Sequence, residues 1–116
     1  MVKDNLEQQK LKSVLLFILK QTKTTGFHEL FKILYFAEKK HIAKYGSPIL
    51  GDRFVAMKYG PVPSFIFDFL KDINGEEYED LHELKAGFNV HLSNVIPKQE
   101  PNLEYISKAA QECLLQ

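Results

Sequence analysis

Two glycine–proline breaks constrain this chain more than anything else in it. Gly46-Ser47-Pro48 and Gly60-Pro61-Val62-Pro63 both fall inside the stretch from His28 to Ser64. Proline fixes its own φ, lacks an N–H and pushes the residue before it out of the helical region. No helix can run through either break. The spacing therefore predicts a long amphipathic helix, a turn, a short strand and a rigid corner that opens another helix. The segments on either side are expected to pack around this centre.

The long helix is predicted from about Gly26 to Tyr45. Phe27, Leu30, Phe31, Leu34, Tyr35, Ile42 and Tyr45 recur at helical spacing and form its apolar face. Gly46 is placed to take the left-handed conformation that closes it. Two polar residues, Glu38 and His41, lie on the same face three residues apart, so their side chains are neighbours. Burying either without a partner would be costly. They are expected to be a structural polar pair that hydrogen-bonds to a loop or strand packed above. A di-metal site would need a second Glu-x-x-His on a helix together with further carboxylates; the other such spacing, Glu79 to His82, starts in an acidic stretch read as a loop, so no metal is expected. Phe36 points the other way, among Lys32, Lys39 and Lys40. An aromatic ringed by lysines suits an acidic, partly apolar partner surface.

A first helix is predicted over Asn5–Gln21, capped by Asp4 or Asn5. Leu11, Val14, Leu15, Ile18 and Leu19 form its stripe. Leu16 and Phe17 lie outside the stripe, as in a core helix covered on several sides. Arg53 to Tyr59 alternates as a strand. After the proline corner, Val62, Phe65, Ile66, Phe69, Leu70 and Ile73 repeat as a helix that Asn74-Gly75 ends, with Phe67 at its edge. Phe88, Val90 and Leu92 read as a strand, Ser93-Asn94 as a tight turn and Val95 to Gln99 as the returning strand. The simplest pairing joins these two strands to Arg53–Tyr59. Ser107 is expected to cap a last helix, Lys108 to Leu115. The fold class is thus α+β and mainly helical, with about four helices and a small antiparallel sheet of about three strands, in one domain over residues 1–116.

Composition removes several function classes. Fifteen basic residues balance fifteen acidic ones, whereas general nucleic-acid binding usually needs a basic surplus. A winged-helix reading would present Ser64, Asp68, Lys71 and Asp72 to DNA, a surface phosphates would repel. The one cysteine, Cys113, permits no internal disulfide, which fits a reducing, cytoplasmic setting. The longest apolar run, Val14 to Leu19, falls far short of the roughly 20 residues that span a membrane. There is no Gly-rich phosphate loop, no Gly-x-Ser-x-Gly and no His-Glu-x-x-His. No catalysis and no cofactor are expected, and the physical reading supports an interaction module.

Three runs carry a family resemblance: Leu30-Phe31-Lys32-Ile33-Leu34-Tyr35-Phe36-Ala37, Lys44-Tyr45-Gly46-Ser47-Pro48-Ile49 and Met57-Lys58-Tyr59-Gly60-Pro61-Val62-Pro63. Together they resemble the Panacea-domain, or SocA-like, antitoxins, a group that includes phage-associated proteins of the GepA type. The match is good over roughly Leu11 to Phe69 and continues more weakly through Tyr105-Ile106-Ser107. The resemblance implies a bacterial or phage antitoxin that binds and neutralises a cognate toxin protein. One branch resembles an adaptor that hands its toxin to an ATP-dependent protease. Relative to the family, the chain is expected to lack a C-terminal helical segment, and Ala110 stands where an acidic residue is common. The partner surface is expected around the proline corner, at Lys58, Tyr59 and Pro61, with Tyr35, Phe36 and Phe67 as nearby aromatics. The alternative is that Tyr59 and Pro61 only shape the corner.

Overall fold

Asp4 starts the helix that the rest of the chain surrounds. Its carboxylate accepts from the backbone N–H of Glu7, and the Glu7 carboxylate accepts from the N–H of Asp4. This reciprocal box satisfies donors that the first helical turn leaves free. The structure, a computed structural model, describes residues 3–115. In chain order its elements are α1 (Asn5–Thr22), α2 (Phe27–Tyr45), β1 (Phe54–Met57), β2 (Gly60–Pro63), α3 (Ser64–Lys71), α4 (His82–Lys85), β3 (Phe88–His91), β4 (Asn94–Pro97), a 3-10 turn (Leu103–Tyr105) and α5 (Lys108–Leu114). In α1, Val14 through Leu19 are all buried. An apolar segment of this kind needs cover on all sides, and α2, α4, β4 and the 3-10 turn supply it.

α2 begins after Gly26 and ends at Gly46, whose φ of +78° a side chain would strain. Its buried face differs from the expected one. Ile42 and Tyr45 are 49% and 44% exposed, whereas Glu38 and His41, expected on that face, are buried beside Leu30 and Leu34, and Ala37 with them. Both sets satisfy the helical repeat; the loop after Gly46 decides between them by folding back over the second. Glu38 gives that loop its acceptors. Its two oxygens take the N–H groups of Ile49, Leu50 (2.9 Å) and Gly51 (3.0 Å). His41 donates from Nδ1 to the carbonyl of Ser47, which fixes the proton on that nitrogen.

The mainly helical α+β class is as expected, with α4 as an additional short helix, but the strands pair differently. Gly60–Pro63, expected as a corner, is a strand. It runs antiparallel to β1, from Met57↔Gly60 to Phe54↔Pro63. Proline is tolerated there because its missing N–H would have pointed away from the partner strand. β3 and β4 form a separate hairpin, so the described residues make two two-stranded sheets rather than one sheet of three. The second hairpin pairs not with β1 but with the residues ahead of α2: Val95 N–H donates to the Thr25 carbonyl at 2.7 Å. Its turn is Leu92-Ser93, one residue earlier than expected. Leu92 sits at φ +57°, a conformation that costs a residue with a Cβ roughly 1–2 kcal/mol. Turn propensity alone therefore points elsewhere, while Asn94 is taken up by a hydrogen bond from Thr25 Oγ1 at 3.0 Å.

α3 buries Ile66, Phe69 and Leu70 and leaves Phe65 and Phe67 half-buried. It closes at Lys71, ahead of the expected Asn74-Gly75 stop. The chain then turns so that Tyr78 meets Phe65 and Phe69, each at 5.8 Å. Burial, with the charges of Glu77, Asp68 and Asp72, pushes the Tyr78 phenol above its ordinary value of 10.0. The residue preceding α3 is Pro63, which has no side-chain cap to offer. Asp52 supplies one from across the hairpin, accepting from Phe65 N–H at 3.1 Å and Ile66 N–H at 2.9 Å. Losing a helix cap costs about 0.5–2 kcal/mol. Asp52→Ala is therefore expected to lower stability by about 1–2 kcal/mol, at the upper end because two bonds are lost. Urea unfolding measures it, and an unchanged midpoint would show that the cap is dispensable. At the far end of the chain, Ser107 Oγ accepts from Ala110 N–H, and Ala110, Cys113 and Leu114 are buried on α5, which docks on α2.

Candidate functional site

Four of the six residues expected to meet a partner line one groove. It lies between the N-terminal half of α2 and the β1–β2 turn, encloses about 450 Å³, and includes Tyr35, Phe36, Tyr59 and Pro61 in its wall together with Phe31 and Lys32. The turn builds one side. Lys58 and Tyr59 form the two-residue loop, and Gly60 takes φ +120°, where a side chain would be strained. This throws Tyr59 outward, 74% exposed, with its ring edge-on to His28 at 5.5 Å. α2 builds the other side. Tyr35 is held between Phe36 (5.5 Å) and Phe54 (5.3 Å), and Phe36 remains 52% exposed.

The rim is cationic. Lys39 Nζ lies 5.4 Å from the Tyr35 ring centre and Lys58 Nζ lies 5.4 Å from that of Tyr59. Contacts of this kind contribute about 0.5–1 kcal/mol at exposed sites, enough to bias a side chain but not to fix it. Among the described residues, the ion pairs are Lys12–Glu83 and Lys20–Glu100. Lys32, Lys39 and Lys58 therefore carry unpaired charge beside the groove, against one acid, Glu29, in its lining.

The other expected residues fall in different places. Lys58 stands at the rim. Phe67, on α3, touches the groove only through Phe31, at 5.9 Å and edge-on, and also packs on Phe27 with Lys71 Nζ 5.0 Å above it. Glu38 and His41 lie under the 46–51 loop and do not line the groove. His28 was not singled out in the sequence, although its spacing from Lys32 and Phe36 places it on the same side of the helix. A larger cleft of about 630 Å³ runs between the start of α1 and Gly51–Arg53. There Lys10 and Arg53 mix with Glu7, Asp52 and Asp68, and Asp52 is engaged in capping α3. Its charge pattern selects no partner. Among the described residues no three His, Cys, Asp or Glu side chains cluster to hold a metal ion, and no helix is long and apolar enough to cross a membrane.

The family model described as "Antitoxin SocA-like, Panacea domain" matches residues 30–116, a span that holds the groove residues from Phe31 to Pro61 but not His28 and Glu29. Comparison with curated proteins and with solved structures found no match.

Proposed function

The chain belongs to the SocA-like antitoxin family, through its Panacea domain, and on that premise we propose that it binds its toxin protein directly in the groove between α2 and the β1–β2 turn. The observation that carries this reading is the convergence of Tyr35 and Phe36 with Tyr59 and Pro61, two pairs over twenty residues apart, on one groove ringed by unpaired lysines. Aromatic side chains supply large contact area for few rotatable bonds, so little entropy opposes their ordering. The lysines favour an acidic partner and speed encounter with it. The chain acts by binding and turns nothing over.

Tyr59 and Phe36 carry the test, because both are already largely exposed and their loss leaves no cavity. When the chain is co-expressed with the toxin encoded beside it, the wild-type protein should hold that toxin through purification. Tyr59→Ala with Phe36→Ala should keep its circular dichroism spectrum and weaken binding by about 500-fold, as two hot-spot residues of about 2 kcal/mol each would. Full binding by the double variant would move the partner surface elsewhere. Toxin half-life in cells separates masking from delivery: if this chain shortens it, the molecule acts as an adaptor for an ATP-dependent protease.

A further inference from the structure

β1 has one bound edge and one open edge, and the prolines of β2 identify them. The Met57↔Gly60 pair closes a two-residue loop, so it exchanges both N–H···O bonds, and the next pair to do so is Val55↔Val62. The series continues with Ser64 N–H donating to the Arg53 carbonyl at 2.7 Å. The pairs between them, Ala56↔Pro61 and Phe54↔Pro63, exchange none. At those positions β2 carries proline and has no outward donor. On β1 the same positions are Phe54 and Ala56, whose N–H and C=O groups point away from the hairpin. Among the described residues, no backbone hydrogen bond from outside the hairpin reaches either. The strand is open to solvent, with Ala56 exposed and Val55 and Met57 at 41% and 52%. The other hairpin is treated differently, since the outward N–H of Val95 on β4 is met by Thr25.

From this edge we propose that β1 accepts an extended, acidic strand of the partner protein, which adds beside Phe54–Met57 as a third strand. The proposal rests on the reading of the chain as a protein-binding antitoxin and names how the partner is held. Main-chain bonds at Phe54 and Ala56 supply the affinity, as in other cases of strand addition. Charge names the occupant. Residues 53–58 carry Arg53 and Lys58 and no acid. A second copy would crowd four cations onto one short ladder, whereas a strand with acids at alternate positions would set them on the face of Phe54, Ala56 and Lys58 and neutralise Lys58. Apolar residues at alternate positions of that strand would lie over Val55 and Met57.

The probe is a synthetic peptide of alternating valine and glutamate, with a valine–lysine peptide for comparison and the isotope-labelled full chain as target. The valine–glutamate peptide should slow amide exchange at Phe54 and Ala56 at least about tenfold, and the valine–lysine peptide should not. Ala56→Pro removes the outward N–H and leaves the bonds to β2 untouched, while Ala56→Ser keeps that N–H. The proline variant should bind the peptide about tenfold more weakly and the serine variant as wild type. Should the proline also loosen the hairpin, seen as faster exchange at Val55 and Met57, a peptide N-methylated at alternate residues applies the same test to the wild-type chain and should lose binding. Unchanged exchange at Phe54 and Ala56, equal binding of the lysine peptide, or undiminished binding of the N-methylated one would each overturn the proposal. So would a wild-type dimer that Ala56→Pro dissociates. If Ala56→Pro retains the toxin while Tyr59→Ala with Phe36→Ala loses it, strand addition falls and the groove stands. The opposite result removes the groove and keeps the strand.

Discussion

Glu38→Ala is expected to lower the unfolding free energy by about 3–5 kcal/mol. Glu38 is 4% exposed and its carboxylate accepts from three successive backbone N–H groups, those of Ile49, Leu50 and Gly51. Alanine removes the acceptors and leaves the donors. The Ile49 N–H is buried, and an unsatisfied buried donor costs about 1–3 kcal/mol. Leu50 and Gly51 are nearer to solvent and can recover part of their loss by bonding to water. A domain has only about 5–15 kcal/mol to lose, so one side chain here decides a large share of stability. Glu38→Gln should recover less than half, because its amide keeps one acceptor oxygen and turns an NH₂ toward the donors. Denaturant unfolding measures the loss, and amide exchange locates it. Residues 49–51 should lose protection first, then the β1–β2 hairpin, which hangs between the Glu38-bound loop and the Asp52-capped α3. A loss under about 1 kcal/mol would mean that the loop is held by Ile49 packing rather than by the carboxylate.

The same residue shows what kind of information the sequence holds. Glu38 and His41 stood out because a polar pair on an apolar face demands partners. The ends of α1 and α2 stood out because Asp4, Gly46 and Pro48 act locally. β2 was hidden because Pro61 and Pro63 read as breakers in isolation, and only pairing with β1 shows that they fall where an N–H is not needed. α4 was hidden because four residues have no period. It is held from far along the chain, by Gln8 Oε1 accepting from Leu84 N–H (3.2 Å) and by Gln9 and Lys12 donating to Glu83. The groove lies between these cases. Tyr35, Phe36, Tyr59 and Pro61 were separately visible as aromatics and a constrained backbone. That they share one wall follows from the hairpin folding back on α2, which no local signal encodes.

One substitution made at two phenylalanines separates the requirements of the fold from those of binding. Phe69 is fully buried on α3, stacked on Phe65 at 6.3 Å and edge-on to Tyr78. Truncating such a ring removes its transfer energy and leaves a cavity that its neighbours fill only in part, so Phe69→Ala should cost about 3–5 kcal/mol. The apolar neighbours of that cavity, Phe65 among them, would also repack and leave Tyr78 less firmly placed. Phe36 is the same side chain, 52% exposed, with the Tyr35 ring as its one aromatic neighbour among the described residues. Phe36→Ala should change stability by no more than about 0.5 kcal/mol. Urea curves of the two variants, read at equal slope, test the contrast directly. It matters for the groove because a loss of toxin binding by Phe36→Ala is evidence of contact only if the variant stays as stable as wild type. If Phe36→Ala unfolded as readily as Phe69→Ala, Phe36 would be part of the packing that holds α2. The partner surface would then have to be sought at Tyr59 and along the open edge of β1.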